Sequence, residues 1–476
     1  MSIHVGEQLQ YINELKVIDF SLFFHAKVQY IHNCICNCHV YKTKCFKWRN
    51  YPMLKKIGLA LVVVPLVSLC LSLSLSSQVL AENISLRSES MIRLLERDTA
   101  SEKDALIIPV YEYMQLDFGK PDETMLTFHA NGWGRADLTD NDYFSDQTEG
   151  ELLYGYLEYR SGKNGFMTRL GRQAVFAGVA SESIDGIYLD TALPSSLKLS
   201  LYAGQPVSLV DTNGRDGDSI YGGRLSIRRN NLDLGVSYKL IENDSNDAEE
   251  MAGIDYGFSM DRFFFSGLSS YNLVTEDFAE HSFDAAYTLE TDQIRAFYHL
   301  FTFKDYFGTD ANNANPFRIL ALASEELSNY GLEFTRNASA ALNFGIKLSR
   351  NDYDLKESSN YLAVLADWSG DSSSLGGEFG ISEGENGRND MMIARGYITT
   401  RMGGNKIVDQ LSLDLLYALY DQPIFGEDSS LFASVAASRK LSKRITLKIY
   451  ADYESNPYFN SDIRGFASLV YNYTAN

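Results

Sequence analysis

Cysteine is confined to the first part of this 476-residue chain, and residues 82–476 contain none. The five cysteines are Cys34, Cys36, Cys38, Cys45 and Cys70. The first three form a C-x-C-x-C-H run, which sets the side chains too close together for a zinc knuckle. No C-x-x-C-H motif is present, which excludes attachment of c-type haem by this chain. Residues 82–476 must therefore be stabilised by hydrogen bonding and packing without disulfides.

Basic residues are also in short supply. The chain has 42 lysines and arginines against 62 aspartates and glutamates, a formal net charge of −20. Such a charge repels nucleic acid, so no nucleic-acid partner is expected. It suits a surface that is rich in divalent cations.

Long apolar runs are limited to one, over residues 57–75, and the mean hydropathy is −0.19. A bundle of membrane helices is thereby excluded. Met53, Lys55 and Lys56 precede this run, and Val79-Leu80-Ala81 follows it, which is typical of a secretory signal peptide. We therefore expect residues 1–52 to be a mis-assigned N-terminal extension, residues 53–81 to be the signal peptide, and cleavage to follow Ala81.

Groups that carry catalysis are scarce. After residue 81 the only histidines are His129, His281 and His299, and neither a G-x-S-x-G nor an H-E-x-x-H motif is present. The sequence therefore predicts a protein that is not an enzyme, with no catalytic residue, no metal site and no cofactor.

What the sequence has in abundance is alternation of apolar and polar residues. In GRLSIRRNNLDLGVSYKL, residues 223–240, two alternating segments flank Asn230 and Asn231, as in a β-hairpin. The pattern recurs in segments of about 8 to 12 residues, and 21 candidate strands can be counted from 110–118 to 463–473. The chain is therefore predicted to be all-β from residue 108 onward.

The connections between these strands alternate in length and differ in charge. Short turns, several of them basic, lie near 229–231, 261–262 and 440–442, and longer, often acidic loops lie between them, including 174–182 and 420–429. This alternation is typical of an antiparallel up-and-down transmembrane barrel with short periplasmic turns and longer outer loops. We expect an even number of strands, 18 to 20, over residues 108–476. Residues 82–107 are predicted to form a periplasmic segment, with a short helix over LRSESMIRLLER, residues 86–97.

The two faces of each strand must then meet different solvents. Because lipid cannot hydrogen-bond to a backbone, the sheet has to close, with its apolar face toward lipid and its charged face toward a watery interior. The opposite arrangement, a soluble barrel with leucines inside, would have a core too wide for side chains to fill. The predicted pore-lining residues are Arg135, Glu158, Arg160, Arg169, Lys198, Arg224, Arg228, Asp233 and Lys239. Arg172 does not fit, because alternation from Leu170 puts it on the lipid side.

Later strands offer acidic residues on the same face, among them Asp255, Asp284, Glu333 and Asp414. One interpretation is that a basic wall faces an acidic wall across the pore; the other is a solvated lumen without selectivity. The longest loop, near 304–327, contains PFRILALASEEL. It indicates either a loop folded inward that narrows the channel or a cap on the surface.

The closing segment GFASLVYNYTAN resembles the terminal strand of Gram-negative outer-membrane porins, although it does not end on an aromatic residue. TRLGRQAVFAG, residues 168–178, and IDGIYLD, residues 184–190, resemble stretches of the large substrate-selective and alginate-export-like porins. The resemblance implies an outer-membrane location and passive movement of small hydrophilic or charged solutes. Outer-membrane lipid, lipopolysaccharide and further copies of the chain are the partners it suggests. A structural barrel that sheathes or anchors a periplasmic redox protein or an export complex stays open as the alternative.

Overall fold

The fold is described from a computed structural model over residues 83–97, 105–119, 125–139, 143–161, 165–207, 217–242, 249–302, 326–354, 358–384, 390–404, 407–457 and 459–475. The expected extension, the signal peptide and residues 316–325 of the PFRILALASEEL segment lie outside these residues; the last two residues of that segment, Glu326 and Leu327, are described. Among the described residues, no helix is long and apolar enough to cross a membrane.

The described residues form one antiparallel sheet. Its strands are β1 Ile84–Arg97, β2 Ala105–Ile107, β3 Pro109–Phe118, β4 Leu126–Asp137, β5 Thr148–Arg160, β6 Met167–Ala177, β7 Ala180–Leu193, β8 Leu197–Pro206, β9 Ser219–Arg229, β10 Leu232–Glu242, β11 Glu249–Met260, β12 Phe263–Asn272, β13 Asp277–Thr288, β14 Asp292–Thr302, β15 Glu326–Asn337, β16 Leu342–Tyr353, β17 Ser359–Ser369, β18 Ser373–Gly384, β19 Met391–Arg401, β20 Gln410–Ile424, β21 Glu427–Lys440, β22 Ile445–Asn456 and β23 Phe459–Thr474. Each strand from β3 onward pairs with the next, so the topology is up-and-down, as the sequence predicts.

The sheet closes into a barrel through β1. One edge of β1 pairs with β3, and the other pairs with β23, from Ser85 opposite Thr474 to Leu94 opposite Gly465. The three-residue β2 precedes β3 and is separated from it by Ile108. It pairs with the end of β1. The barrel wall therefore contains 22 strands, and it leaves no unpaired strand at the seam.

Three expectations are corrected by this topology. The helix predicted over residues 86–97 is wrong, because this segment is a strand, and the barrel begins at Ile84 rather than at residue 108. The expected 18 to 20 strands are too few, since the wall has 22. The local spacing of apolar residues favours a helix, but a helix would leave the edges of both β3 and β23 without partners, which a membrane barrel cannot tolerate. Tertiary pairing therefore overrides the local preference.

The predicted tight turns are present at several places. Asn230 and Asp261 adopt φ angles of 52° and 50°, which a two-residue hairpin turn requires and which Asn and Asp tolerate. Two of the predicted long loops are different. Residues 174–182 fold as a hairpin around Gly178 and Val179, and residues 420–429 extend β20 and β21 to a turn at Phe425 and Gly426.

The two faces of the wall differ in exposure. On β10 the apolar Leu234 and Val236 are 39% and 49% exposed, while Lys239 on the opposite face is 3% exposed. Side chains diverge on the convex face of a barrel and converge on its concave face. The leucine face is therefore the outer surface, and the charged face lines the interior, which we call the lumen.

We predict that the outer face resists charge. Val364→Arg places a guanidinium among Ile346 and Phe379, its outward neighbours on β16 and β18. It should destabilise the barrel by about 2–4 kcal/mol if the site lies near the bilayer midplane. Urea unfolding in lipid vesicles measures the change. The control is Asn343→Arg, on the lumen face opposite Asp367, which should be close to neutral; equal losses in both variants would contradict the assignment of faces.

Candidate functional site

The nine predicted pore-lining residues all lie on the lumen face, and each has an ion-pair partner there. Arg135 binds Glu149 at 2.6 Å; Glu158 binds Arg160 at 2.5 Å and Arg169 at 2.7 Å; Lys198 binds Asp190 at 3.0 Å; Arg224 binds Asp255 at 2.5 Å; Arg228 binds Asp233; and Lys239 binds Glu182 at 3.0 Å and Glu249 at 2.7 Å. The lumen wall is therefore a series of neutralised cross-strand clusters. A role for these residues in solute selectivity stays a prediction.

A basic wall facing an acidic wall is not found. The acidic residues of the later strands have arginines of their own: Arg295 contacts Asp284 and Glu333, and Arg395 contacts Asp414 at 2.6 Å. Arg464 on β23 contacts Asp452 at 2.9 Å. Charges of both signs are thus distributed around the lumen, because neighbouring strands pair their own charges locally.

The main departure from a regular barrel is the hairpin formed by β6 and β7. β5 pairs with β6 only from Arg160 opposite Met167 to Gly155 opposite Arg172. Beyond Arg172 the two strands separate, while β6 and β7 stay paired to the tip at Ala177 and Ala180. The outer half of this hairpin, residues 173–183, therefore leaves the wall.

Apolar contacts show where this half of the hairpin goes. Val175, Ala177, Ala180 and Ile184 pack against lumen-facing residues of β8 to β10, namely Tyr202, Ile220 and Ile241. The tip residue Val179 packs with Met251 of β11 and Ala279 of β13. The hairpin thus bends into the lumen and lies across the inner wall, and we call residues 173–183 the in-folded hairpin.

Polar contacts fix the in-folded hairpin to the wall. The Val179 amide donates to Ser237 Oγ at 3.1 Å, and Lys239 Nζ donates to Glu182 Oε1 of the hairpin and to Glu249 Oε1 of β11. Lys239 is almost fully buried by this arrangement. An ammonium group shielded from water in this way needs both carboxylates, so the hairpin and the wall hold each other in place.

Glycines allow the bend. Gly171, Gly186 and Gly204 lie side by side on β6, β7 and β8. Gly171 has a φ of +126°, and a Cβ on Gly186 would lie 2.1 Å from the carbonyl oxygen of Ala203. The fully buried Gln173 donates its amide to the Gly186 carbonyl at 3.2 Å on one side of the bend. Only glycine permits the backbones to approach this closely.

Arg172 lies at the root of the hairpin, where β6 is still paired with β5. It binds Asp185 at 2.7 Å, and its Nη1 donates to the Leu152 carbonyl at 2.9 Å. Its charge is therefore paired, although alternation assigns it to the outer face. Sequence reasoning missed this hairpin. The available signals were the out-of-phase arginine and the glycines in neighbouring segments.

The described residues contain no group of three or more His, Cys, Asp or Glu side chains that could hold a metal ion. The three histidines are hydrogen-bonded to nearby side chains: His129 to Asp117, His281 to Ser269 and His299 to Ser282.

No protein-family model matches the sequence, and no curated protein matches it. Among solved structures, the siderophore receptor PirA from Pseudomonas aeruginosa matches with a TM-score of 0.52 at 11% identity, covering 82% of this chain and 80% of that one. The P pilus usher PapC translocation pore matches with a TM-score of 0.46 at 9% identity, covering 83% and 100%. The outer membrane protein OprD from Pseudomonas aeruginosa matches with a TM-score of 0.36 at 12% identity, covering 84% and 96%. The likeness to PirA shows a shared fold, a large antiparallel barrel; the other two are too distant to carry an argument.

We predict that the glycine row is required for the bend. Gly186→Val should destabilise the protein by about 1–3 kcal/mol, since its side chain collides with the backbone of Ala203 and Gly204. Urea unfolding in detergent micelles provides the measurement. Gly396→Ala on β19 is the control, because a Cβ there meets no atom within 4 Å. An unchanged unfolding midpoint for Gly186→Val would show that the bend tolerates a side chain at this position.

We also predict that Lys239 holds the in-folded hairpin against the inner wall. Lys239→Met leaves Glu182 and Glu249 facing each other without the ammonium, a loss of about 3–5 kcal/mol for a buried pair. The hairpin should detach, so single-channel currents should become larger and noisier.

Lys198→Met is the matched control. Lys198 is 55% exposed and its pair with Asp190 is worth at most about 1 kcal/mol. Its currents should equal those of the unmodified protein. Single-channel currents of unchanged size and noise in Lys239→Met would show that Lys239 does not hold the hairpin against the wall.

Proposed function

We propose that the protein is an outer-membrane porin that allows passive diffusion of small hydrophilic or charged solutes. The observation that carries this proposal is the closed wall with an apolar convex face and a charged concave face. A closed barrel of this kind pairs its wall strands with one another in lipid and offers water a polar surface inside.

The width of the barrel and the in-folded hairpin fit together in this function. A wall of 22 strands encloses a bore wider than the 16 to 18 strands of typical aqueous porins, so an unobstructed bore would discriminate little. The in-folded hairpin occupies part of the lumen along β8 to β13. It narrows the passage while leaving the opposite wall, β16 to β22, uncovered by described residues.

Local pairing of charge supports transport of solutes of either sign. Because each arginine or lysine of the nine predicted pore-lining positions has a carboxylate within ion-pair distance, no strong single-signed field is expected along the wall. The exposed ion pairs, such as those of Lys198 and Arg228, still disfavour apolar solutes. We infer a pore with weak intrinsic ion selectivity.

The sheath alternative is less well supported. A barrel that surrounds a protein partner needs a clear bore, whereas the in-folded hairpin takes up lumen volume and is fixed there by Lys239 and Ser237. Recording from the purified protein in planar lipid bilayers separates the two functions, since an open pore conducts without a partner. Absence of discrete conductance steps would contradict the porin proposal.

We predict that breaking the clusters changes selectivity. Replacing Arg135, Arg160 and Arg169 together by glutamine removes three cations and leaves Glu149 and Glu158 uncompensated. The reversal potential in a salt gradient should then shift toward cation selectivity.

The control replaces Arg262, Arg336 and Arg401 by glutamine. These three arginines lie at turns or strand ends, where salt screens charges that are more than about 10 Å from the permeating ion. Their loss should produce a much smaller shift. Equal shifts of the reversal potential in the two triple variants would show that the lumen clusters do not determine ion selectivity.

A further inference from the structure

Aromatic side chains line the lumen face of β3 to β7, where the in-folded hairpin leaves the wall. We call them the aromatic track, and they are Tyr111 and Tyr113 of β3, Trp133 of β4, Tyr154 and Tyr156 of β5, and Tyr188 of β7. They face the lumen because they share the alternation of the charged residues there: Tyr111 is opposite Arg135, and Tyr188 is opposite Arg169. Each of the six is partly exposed, so its ring is open to a solute.

The rings of the track lie close to one another. The Tyr111 ring centroid is 6.0 Å from that of Tyr113 and 6.1 Å from that of Trp133. The Tyr154 and Tyr156 centroids are 5.9 Å apart. These separations place neighbouring rings about one monosaccharide unit apart.

The track descends as it crosses the wall. Tyr111 lies near the end of the barrel that carries the longer loops, and Tyr188 lies nearer the end that carries the short turns. Tyr154 is opposite Asn131, which lies one lumen position below Trp133 on β4. Four steps between adjacent strands amount to roughly 20 Å. The track is therefore longer than a single sugar ring and suits a chain of several units.

Polar groups accompany the rings. Gln115 Nε2 donates to Asp117 at 2.9 Å, and His129 Nδ1 lies 2.7 Å from the same carboxylate. At the lower end, the Tyr188 hydroxyl donates to Asp190 at 3.2 Å. The carboxylates disfavour an anion beside the rings, while the amide, imidazole and hydroxyl groups can exchange hydrogen bonds with a neutral solute.

This combination matches the chemistry of a pyranose ring. The faces of a pyranose present C–H groups that pack on aromatic rings, and its edge presents hydroxyls that need hydrogen-bond partners. A cation is poorly suited, because the Arg169 guanidinium already lies 5.2 Å from the Tyr156 ring and 5.8 Å from the Tyr188 ring. Arg93 likewise lies 5.8 Å from the Tyr111 ring.

We propose that the aromatic track binds neutral oligosaccharides, so that carbohydrate chains are the solutes the pore favours. This inference rests on the proposed porin function and names its solute class. A row of several weak contacts suits transport better than one strong contact, because a chain can enter, move along the row and leave.

Tryptophan fluorescence provides the test, because Trp133 lies in the track and Trp368 lies on the outer face of β17. Replacing Trp48 and Trp368 by phenylalanine leaves Trp133 as the only tryptophan. This protein is titrated in detergent micelles with maltohexaose. The fluorescence of Trp133 should change saturably, whereas polyethylene glycol of the same mass should produce no saturable change. A protein that retains Trp368 alone should respond to neither.

The contribution of the track is measured in the protein that retains Trp133 alone. Tyr156→Ala should raise the half-saturating concentration of maltohexaose about three- to tenfold, since it removes one ring of the row. Tyr156→Phe keeps the ring and should leave that concentration nearly unchanged. The matched control is Tyr361→Ala, which removes a tyrosine ring from the lumen face of β17, across the barrel, and should have no effect on it. Tyr154→Ala replaces Tyr156→Ala if that variant does not assemble.

The proposal is overturned if Trp133 does not respond to maltohexaose, if it responds equally to polyethylene glycol, or if Tyr156→Ala and Tyr361→Ala have equal effects. A saturable response to tetramethylammonium chloride with none to maltohexaose would assign the track to cations instead. Conductance of the unmodified protein is recorded in parallel. A conducting channel without a response of Trp133 rejects the carbohydrate site alone, whereas a response of Trp133 without conductance rejects the porin.

Discussion

Backbone hydrogen bonding between β1 and β23 is the constraint on which the rest of the structure depends. A sheet in hydrocarbon must satisfy its edges, and the pairing of these two strands joins the two ends of the described sheet. Once the seam is closed, period-two alternation sends every second side chain outward and the others inward. The apolar outer surface and the charged lumen follow from this single condition, without any particular side-chain contact being decisive.

The in-folded hairpin is the one place where the wall departs from this rule. Glycines at 171, 186 and 204 let the backbone turn inward, and Lys239 with Ser237 holds the tip against the inner wall. Among the described residues, β5 has no strand partner on this side over residues 148–154. A costly feature of this kind, fixed by a buried ammonium group and a row of glycines, indicates selection for function rather than for stability.

Much of the fold could be predicted from the sequence, because alternation and turn chemistry are local signals. Alternation and turn residues predict the hairpin at Asn230 and the up-and-down order of the strands. They also predict the polar face that carries Arg169 and Lys239. β1 could not be predicted, because the spacing of its apolar residues fits a helix as well as a strand. Only its pairing with β3 on one side and with β23, almost 400 residues away, on the other decides between them. The in-folded hairpin was missed for a related reason, since alternation cannot distinguish lipid from lumen once a strand has bent.

The most direct test of the central claim is thiol labelling along β16, at Phe344, Gly345, Ile346, Lys347, Leu348 and Ser349. Each is replaced in turn by cysteine in a protein whose own five cysteines are changed to serine, and the variants are placed in lipid vesicles. We predict that a water-soluble maleimide labels 345, 347 and 349, on the lumen face, and spares 344, 346 and 348, on the outer face. Labelling with no period of two, or with the two sets exchanged, would contradict it.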